Sequence, residues 1–118
     1  MFNSLFGSRE ANADEGDDII MERVDQEIEG NKIVIFSKSY CPYCSTTKSL
    51  FQSKFPGVAA RVIELDQVKD GSKMQSALGR KSGQRTVPNV FVAGEHVGGN
   101  DDTHAAFRSG KLQKLVEG

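Results

Sequence analysis

The stretch "KIVIFSKSYCPYCSTTKSLFQSK", residues 32–54, decides how this chain is built. Its opening "KIVIFS", Lys32 to Ser37, holds a short unbroken apolar run and reads as a buried strand. Cys41 and Cys44 follow directly, with Pro42 and Tyr43 between them. A helical spacing with Thr47, Leu50 and Phe51 inward then runs through about Lys54, stopping before Phe55-Pro56-Gly57. A strand thus delivers two thiols to the first turn of a helix. There, free backbone N–H groups and the positive end of the helix dipole favour a thiolate on Cys41. Pro42 suits the first helical position, where its missing N–H costs nothing. Lys38, three residues before Cys41, adds a mobile positive charge. Cys44 lies one turn further in, facing the helix body, and is expected to be less exposed and less acidic. The positions assign attack to Cys41 and resolution to Cys44.

These are the only two cysteines in 118 residues. A bridge between them closes a tiny loop and removes little unfolded-state entropy, so the pair is chemical before it is structural. A zinc site needs four ligands, and His96 and His104 lie far along the chain without the paired spacing of a zinc module. Two buried, inert cysteines would need neither a proline between them nor a strand-to-helix junction.

With 37% hydrophobic and 26% charged residues, the length fits one globular domain. The longest aliphatic and aromatic run, Ile33 to Phe36, is far short of the roughly 20 residues that cross a bilayer, so no membrane partner is expected. The net charge of −1 conceals a division: residues 1–30 carry nine acids and two bases, and residues 31–118 carry thirteen bases and seven acids. A cationic body favours a thiolate and attracts small anionic partners, while the acidic head reads as a solvated tail. The lysines are scattered without interleaved aromatics, which argues against nucleic acid as a partner.

Residues 1–17, "MFNSLFGSREANADEGD", show no sustained periodicity and are expected to be a disordered acidic tail ahead of a domain spanning 18–118. Phe2, Leu5, Phe6 and Arg9 could open a targeting peptide, but the acids that follow argue for a cytoplasmic location, with an organellar address left open. Ile20, Val24 and Ile28 recur every four residues behind an Asp18 N-cap, giving a first helix that stops at Gly30-Asn31. "ARVIELD" reads as a second strand and "DGSKMQSALGRKSG" as a helix with Met74, Ala77 and Leu78 inward. "NVFVAG" and "EHVGG" form a hairpin turning at Ala93-Gly94, and "NDDTHAAFRSG" and "KLQKLVEG" two last helices. The order α, β, α, β, α, β, β, α, α implies an α/β fold: a mixed sheet, antiparallel at the hairpin, with helices on both faces.

Four separated features, "KSYCPYC", Gln75, "GQRTVPNVFV" and "GGNDD", resemble in order and spacing those of the dithiol glutaredoxins of the thioredoxin superfamily. The resemblance covers about Ile20 to Val116. A thioredoxin proper would carry Trp before the first cysteine and Gly-Pro between the pair, whereas this chain has no Trp. The resemblance implies a thioredoxin-like fold with a four-stranded mixed sheet, and a glutathione site beside Cys41. In that site Lys38 and Gln75 would hold the glycine carboxylate. Thr86-Val87-Pro88 would be the family's cis-proline turn, with the Val87 backbone pairing the cysteinyl part. Gly98-Gly99 would let the chain pass close to the ligand. Backbone N–H groups at Asp101 and Asp102 would take the γ-glutamyl carboxylate, with Asp102 taking its ammonium and Tyr43 walling the groove. Arg85 would steer substrate, and His104 receives no role. Taken singly, Asp101 and Asp102 read as helix caps and Thr86-Val87-Pro88 as a strand start.

The activity so implied is glutathione-dependent thiol-disulfide exchange serving cell redox homeostasis and electron transport. Glutathione would be a co-substrate and no cofactor tightly bound; the partners would be glutathionylated and disulfide-containing proteins, with a glutathione reductase system behind them, and the chain a monomer. Some family members instead hold a [2Fe–2S] cluster between two subunits through the first cysteine and glutathione, which Pro42 disfavours. A glutathione-binding regulatory domain is a third reading, and it leaves Cys44 without a purpose.

Overall fold

Ile33–Ser37 forms β1, buried at every position because helices cover the sheet on both sides. The computed structural model describes residues 8–118, with side-chain surroundings from Gly16 onward. The elements run α1 (Ser8–Gly30), β1, α2 (Pro42–Lys54), β2 (Ala60–Glu64), α3 (Gly71–Ser82), β3 (Asn89–Val92), β4 (Glu95–Gly98), α4 (Asn100–Ser109) and α5 (Lys111–Glu117). The sheet order is β2-β1-β3-β4. β1 pairs with β2 in parallel and with β3 antiparallel, and β3 pairs with β4 antiparallel. The crossover helix α2 sets the parallel pair. The Ala93-Gly94 turn, with both residues at positive φ, sets the hairpin.

Strand alternation divides the core into two layers. Val34 and Phe36 of β1, with Phe91, meet Ile20, Val24 and Ile28 of α1 and Met74, Ala77 and Leu78 of α3. Ile33 and Ile35, with Val90 and Val92, meet Leu50 and Phe51 of α2 and Leu112 and Val116 of α5. Each such side chain contributes about 1.5–3 kcal/mol by leaving water, which is what seats α2 on the sheet and fixes the height of its first turn.

One boundary differs from the sequence expectation. α1 begins at Ser8, ten residues before Asp18, so Asp18 is an exposed mid-helix residue rather than an N-cap, and residues 8–17 are helical rather than a structureless tail. Ala and Glu are good helix formers, and acids near a helix N-terminus complement its dipole, so a stretch without apolar periodicity can still be helix. Apolar packing nevertheless starts at Ile20. Residues 1–7, including Phe2, Leu5 and Phe6, lie outside the described residues. Not all the acids of the head face water alone: Glu27 pairs with Arg61 at 2.9 Å and Asp25 with Lys81 at 2.7 Å, tying α1 to β2 and α3. At such exposure each pair is worth about 1 kcal/mol or less.

Candidate active site

Cys41 is the N-cap of α2 and Pro42 its first helical residue. The Cys41 sulfur accepts a hydrogen bond from the Cys44 N–H at 3.3 Å, taking one of the donors that a helix start leaves unpaired. The loop before it is pinned from the end of β2. Asp66 accepts the Ser39 N–H at 2.9 Å and also the Ser39 hydroxyl, and the Cys41 N–H donates to the Lys38 carbonyl at 3.1 Å. Those Ser39 bonds, with a smaller effect of the Lys38 charge, hold the Asp66 carboxyl below the usual carboxylate range. The two thiols differ as their positions imply: Cys41 is half-buried and Cys44 has 0% exposure. Burial pushes the Cys44 thiol up, and its hydrogen bond with Cys41 pushes it further.

Opposite Cys41, the Val87–Pro88 peptide is cis, as the motif predicts, and the Val87 carbonyl oxygen lies 4.0 Å from the Cys41 sulfur. From there a groove of about 360 Å³ runs to the start of α4, lined by Tyr43, Gln84, Thr86, Val87, Pro88, Gly99, Asn100, Asp101 and Asp102. Tyr43, 65% exposed, forms its outer wall. Seven of the residues singled out by sequence therefore share one concavity: Tyr43, Thr86, Val87, Pro88, Gly99, Asp101 and Asp102.

Lys38 and Gln75 do not line it. Gln75 instead donates its amide N–H to the Arg85 carbonyl at 2.7 Å, leaving the second hydrogen of that nitrogen for any ligand. Asp102 has a structural task as well: one carboxylate oxygen accepts the Gly99 N–H at 3.1 Å and caps α4. Gly98, at φ 123°, is required here, because a Cβ on it would collide with that carboxylate; the same atom on Gly99 would meet only ordinary contacts. The close approach expected of Gly98-Gly99 is thus, at Gly98, an approach to Asp102.

Two groove residues escaped sequence reasoning, Gln84 and Asn100. Asn100 accepts the fully buried Thr47 hydroxyl at 2.8 Å, joining α2 to α4 across the site. Both residues sit inside motifs already singled out, "GQRTVP" and "GGNDD", but only their three-dimensional partners distinguish them from loop filler. His96 lies behind the groove with Nε2 2.8 Å from the Asn89 side-chain oxygen. Burial holds its imidazole below the ordinary value, and the Asp102 charge opposes that shift.

A helix-capping thiol, a second buried thiol one turn on and a cis-proline turn facing them, all where the central strand β1 ends and its neighbour β3 begins, define a dithiol protein of thioredoxin-like fold. The Glutaredoxin family model matches residues 33–97, more than half of the chain. Glutaredoxin-C4 of Arabidopsis thaliana is 52% identical over 93 residues, covering 79% of this chain and 67% of its own length. A glutaredoxin of Ricinus communis is 45% identical over 96 residues, 81% of this chain and 92% of the relative. The crystal structure of a buckwheat glutaredoxin–glutathione complex superimposes with a TM-score of 0.82 at 43% identity, over 87% of this chain and 92% of that one. The chain belongs to the glutaredoxin family and is a thiol oxidoreductase of that type.

Proposed function

We propose that this protein uses glutathione to reduce protein–glutathione mixed disulfides with Cys41 alone, and protein disulfides with Cys41 and Cys44 together. The observation that carries the reading is the Cys41 sulfur on a helix N-terminus, 4.0 Å from the Val87 carbonyl, at the mouth of a groove that ends on the N-terminus of α4. Glutathione has the matching order: a thiol in the middle, a γ-glutamyl group with carboxylate and ammonium at one end, and a glycine carboxylate at the other. The γ-glutamyl end goes to Asp101 and Asp102, the cysteinyl backbone to Val87, the sulfur beside Tyr43, and the glycine carboxylate toward Lys38 and the free N–H of Gln75.

In the first reaction the Cys41 thiolate attacks the glutathione sulfur of the mixed disulfide. A Cys41–glutathione bond forms, the protein–glutathione bond breaks, and the protein leaves as a thiolate that takes up a proton. A second glutathione thiolate attacks the bound glutathione sulfur, releasing glutathione disulfide and restoring Cys41. With a protein disulfide, Cys41 first joins one substrate sulfur. Cys44 then loses its proton and attacks the Cys41 sulfur, freeing the reduced protein and leaving a Cys41–Cys44 bridge, which two glutathiones reduce. NADPH, through a reductase, restores the glutathione. The protein acts as a monomer in the cytoplasm. A turnover assay with a glutathionylated peptide, glutathione, NADPH and glutathione reductase tests the reading: saturable NADPH consumption supports it, and a rate no higher than that without the protein overturns it.

A further inference from the structure

The segment from Gln84 to Pro88 has five backbone carbonyls, and side-chain amides take four of them. The Gln84 carbonyl accepts from Asn89, and the Arg85 carbonyl from Gln75. The carbonyls of Thr86 and Pro88 accept, at 3.2 and 2.9 Å, from the single amide nitrogen of Gln84. Only the Val87 carbonyl is left without an amide, and it is the one that faces Cys41. No partner takes the Val87 N–H among the described residues.

Gln84 is itself held at both its backbone N–H and its carbonyl. Its N–H donates to the Ser82 hydroxyl at 3.2 Å, and its carbonyl accepts from Asn89, which has 1% exposure and is in turn fixed by His96. Only the nitrogen of the Gln84 amide can face two carbonyl oxygens, so the orientation of the group is set by its partners. A side chain that spends both hydrogens on the carbonyls flanking Val87 holds that residue extended, with its own N–H and C=O directed into the groove.

We infer that Gln84 is a positioning residue for the exchange reaction: it presents the Val87 backbone as a one-residue pairing edge, and so makes Cys41 select disulfides whose sulfur is carried on an extended peptide backbone. The inference rests on the glutathione reading above and adds the residue that enforces it. Gln84 touches no reacting atom, so its loss lowers discrimination between substrates and leaves the intrinsic reactivity of Cys41 in place.

The test compares two disulfides in the full chain carrying Cys44→Ser, where only the Cys41 adduct forms. Oxidised glutathione offers peptide groups beside its sulfur; bis(2-hydroxyethyl) disulfide offers none. Adduct formation is followed by quenched-flow mass spectrometry. Gln84→Glu keeps the size but turns acceptors toward two carbonyls, and Gln84→Ala removes the group. In both, the rate constant with oxidised glutathione should fall about tenfold, while that with bis(2-hydroxyethyl) disulfide stays within about twofold. Should one variant fail to fold, as judged by its melting curve, the other decides. A preference that survives in the variants overturns the role of Gln84 alone, and so does an equal fall with both disulfides. A parent protein with no preference for oxidised glutathione overturns the glutathione reading, and this inference with it.

Discussion

Two helices start at the groove, and they complete their first turns differently. α2 is capped by the sulfur of Cys41, the atom that forms the bond to substrate in the proposed reaction. α4 is capped by the Asp102 carboxylate, bonded to the Gly99 N–H and fitted against Gly98. Where the cap is the reactive atom, the helix end is a chemical device. Where the cap comes from the same helix, the end is a fixed fixture that can hold a charged ligand without changing. Under the proposed function, the pairing gives one groove a sulfur that reacts and a far end that only recognises.

The comparison breaks most visibly at Cys41. Cys41→Ser should abolish turnover, because no other sulfur caps a helix at the groove; coupled-assay activity near wild type would show that the α2 end is not the reactive one. Cys44→Ser comes next: it should keep the reduction of glutathione mixed disulfides and lose most reduction of protein disulfides, measured side by side with a glutathionylated peptide and a disulfide-bonded protein. Burial raises the Cys44 thiol, so in Cys41→Ser it should remain protonated at neutral pH. Its uptake of iodoacetamide, followed by mass spectrometry, should then rise only at pH values above the ordinary thiol range. Rapid labelling at pH 7 would contradict the assigned division of labour.

At the other helix the expected effects are smaller. Asp102→Asn keeps an oxygen for the Gly99 N–H, so the melting temperature should stay near wild type. The lost charge should raise KM for a glutathione mixed disulfide about tenfold, and an unchanged KM would leave Asp102 a cap alone. The smallest effect concerns His96 behind that end. Its folded value lies below the ordinary one, so as the pH falls below about 6.5 the unfolded chain takes up a proton before the folded one does. The stability from the neutral imidazole is present at pH 7 and is lost as the pH falls through the folded value. His96→Gln should therefore flatten the decline of melting temperature between pH 7 and 5, whereas Asp102→Asn, by removing the charge that opposes the shift, should steepen it. Parallel melting curves for the three proteins would remove the proposed link between His96 and the α4 end.

Much of the site is legible in the chain because its parts are local. Cys41, Pro42 and Cys44 lie within one helical turn, so spacing alone fixes which sulfur is at the cap and which is inward. Thr86-Val87-Pro88 and Gly98 to Asp102 are likewise short motifs whose backbone character follows from Pro and Gly. Gln84 and Gln75 are different. An amide can donate to any carbonyl within reach, and its choice of Thr86 and Pro88 in one case and Arg85 in the other depends on how α3 and the following loop fold back. Asp102 is intermediate: its capping reading was open from sequence, but the fit against Gly98 was not.

By itself the sequence determined the strand–thiol–helix junction, the element order and which cysteine caps the helix and which is buried, since periodicities of two and 3.6 residues and the chemistry of helix ends are properties of neighbouring residues. It misplaced the start of α1, because its first ten residues carry no apolar periodicity to mark them as helix. Only the tertiary structure decided which side chains meet across the groove. Cys41 and Val87 are 46 residues apart and Thr47 and Asn100 are 53 apart, distances along the chain over which no local rule acts. They are brought within reach because α2 and α4 pack together on one face of the sheet, and the proline turn enters β3 beside the end of β1 from which α2 departs.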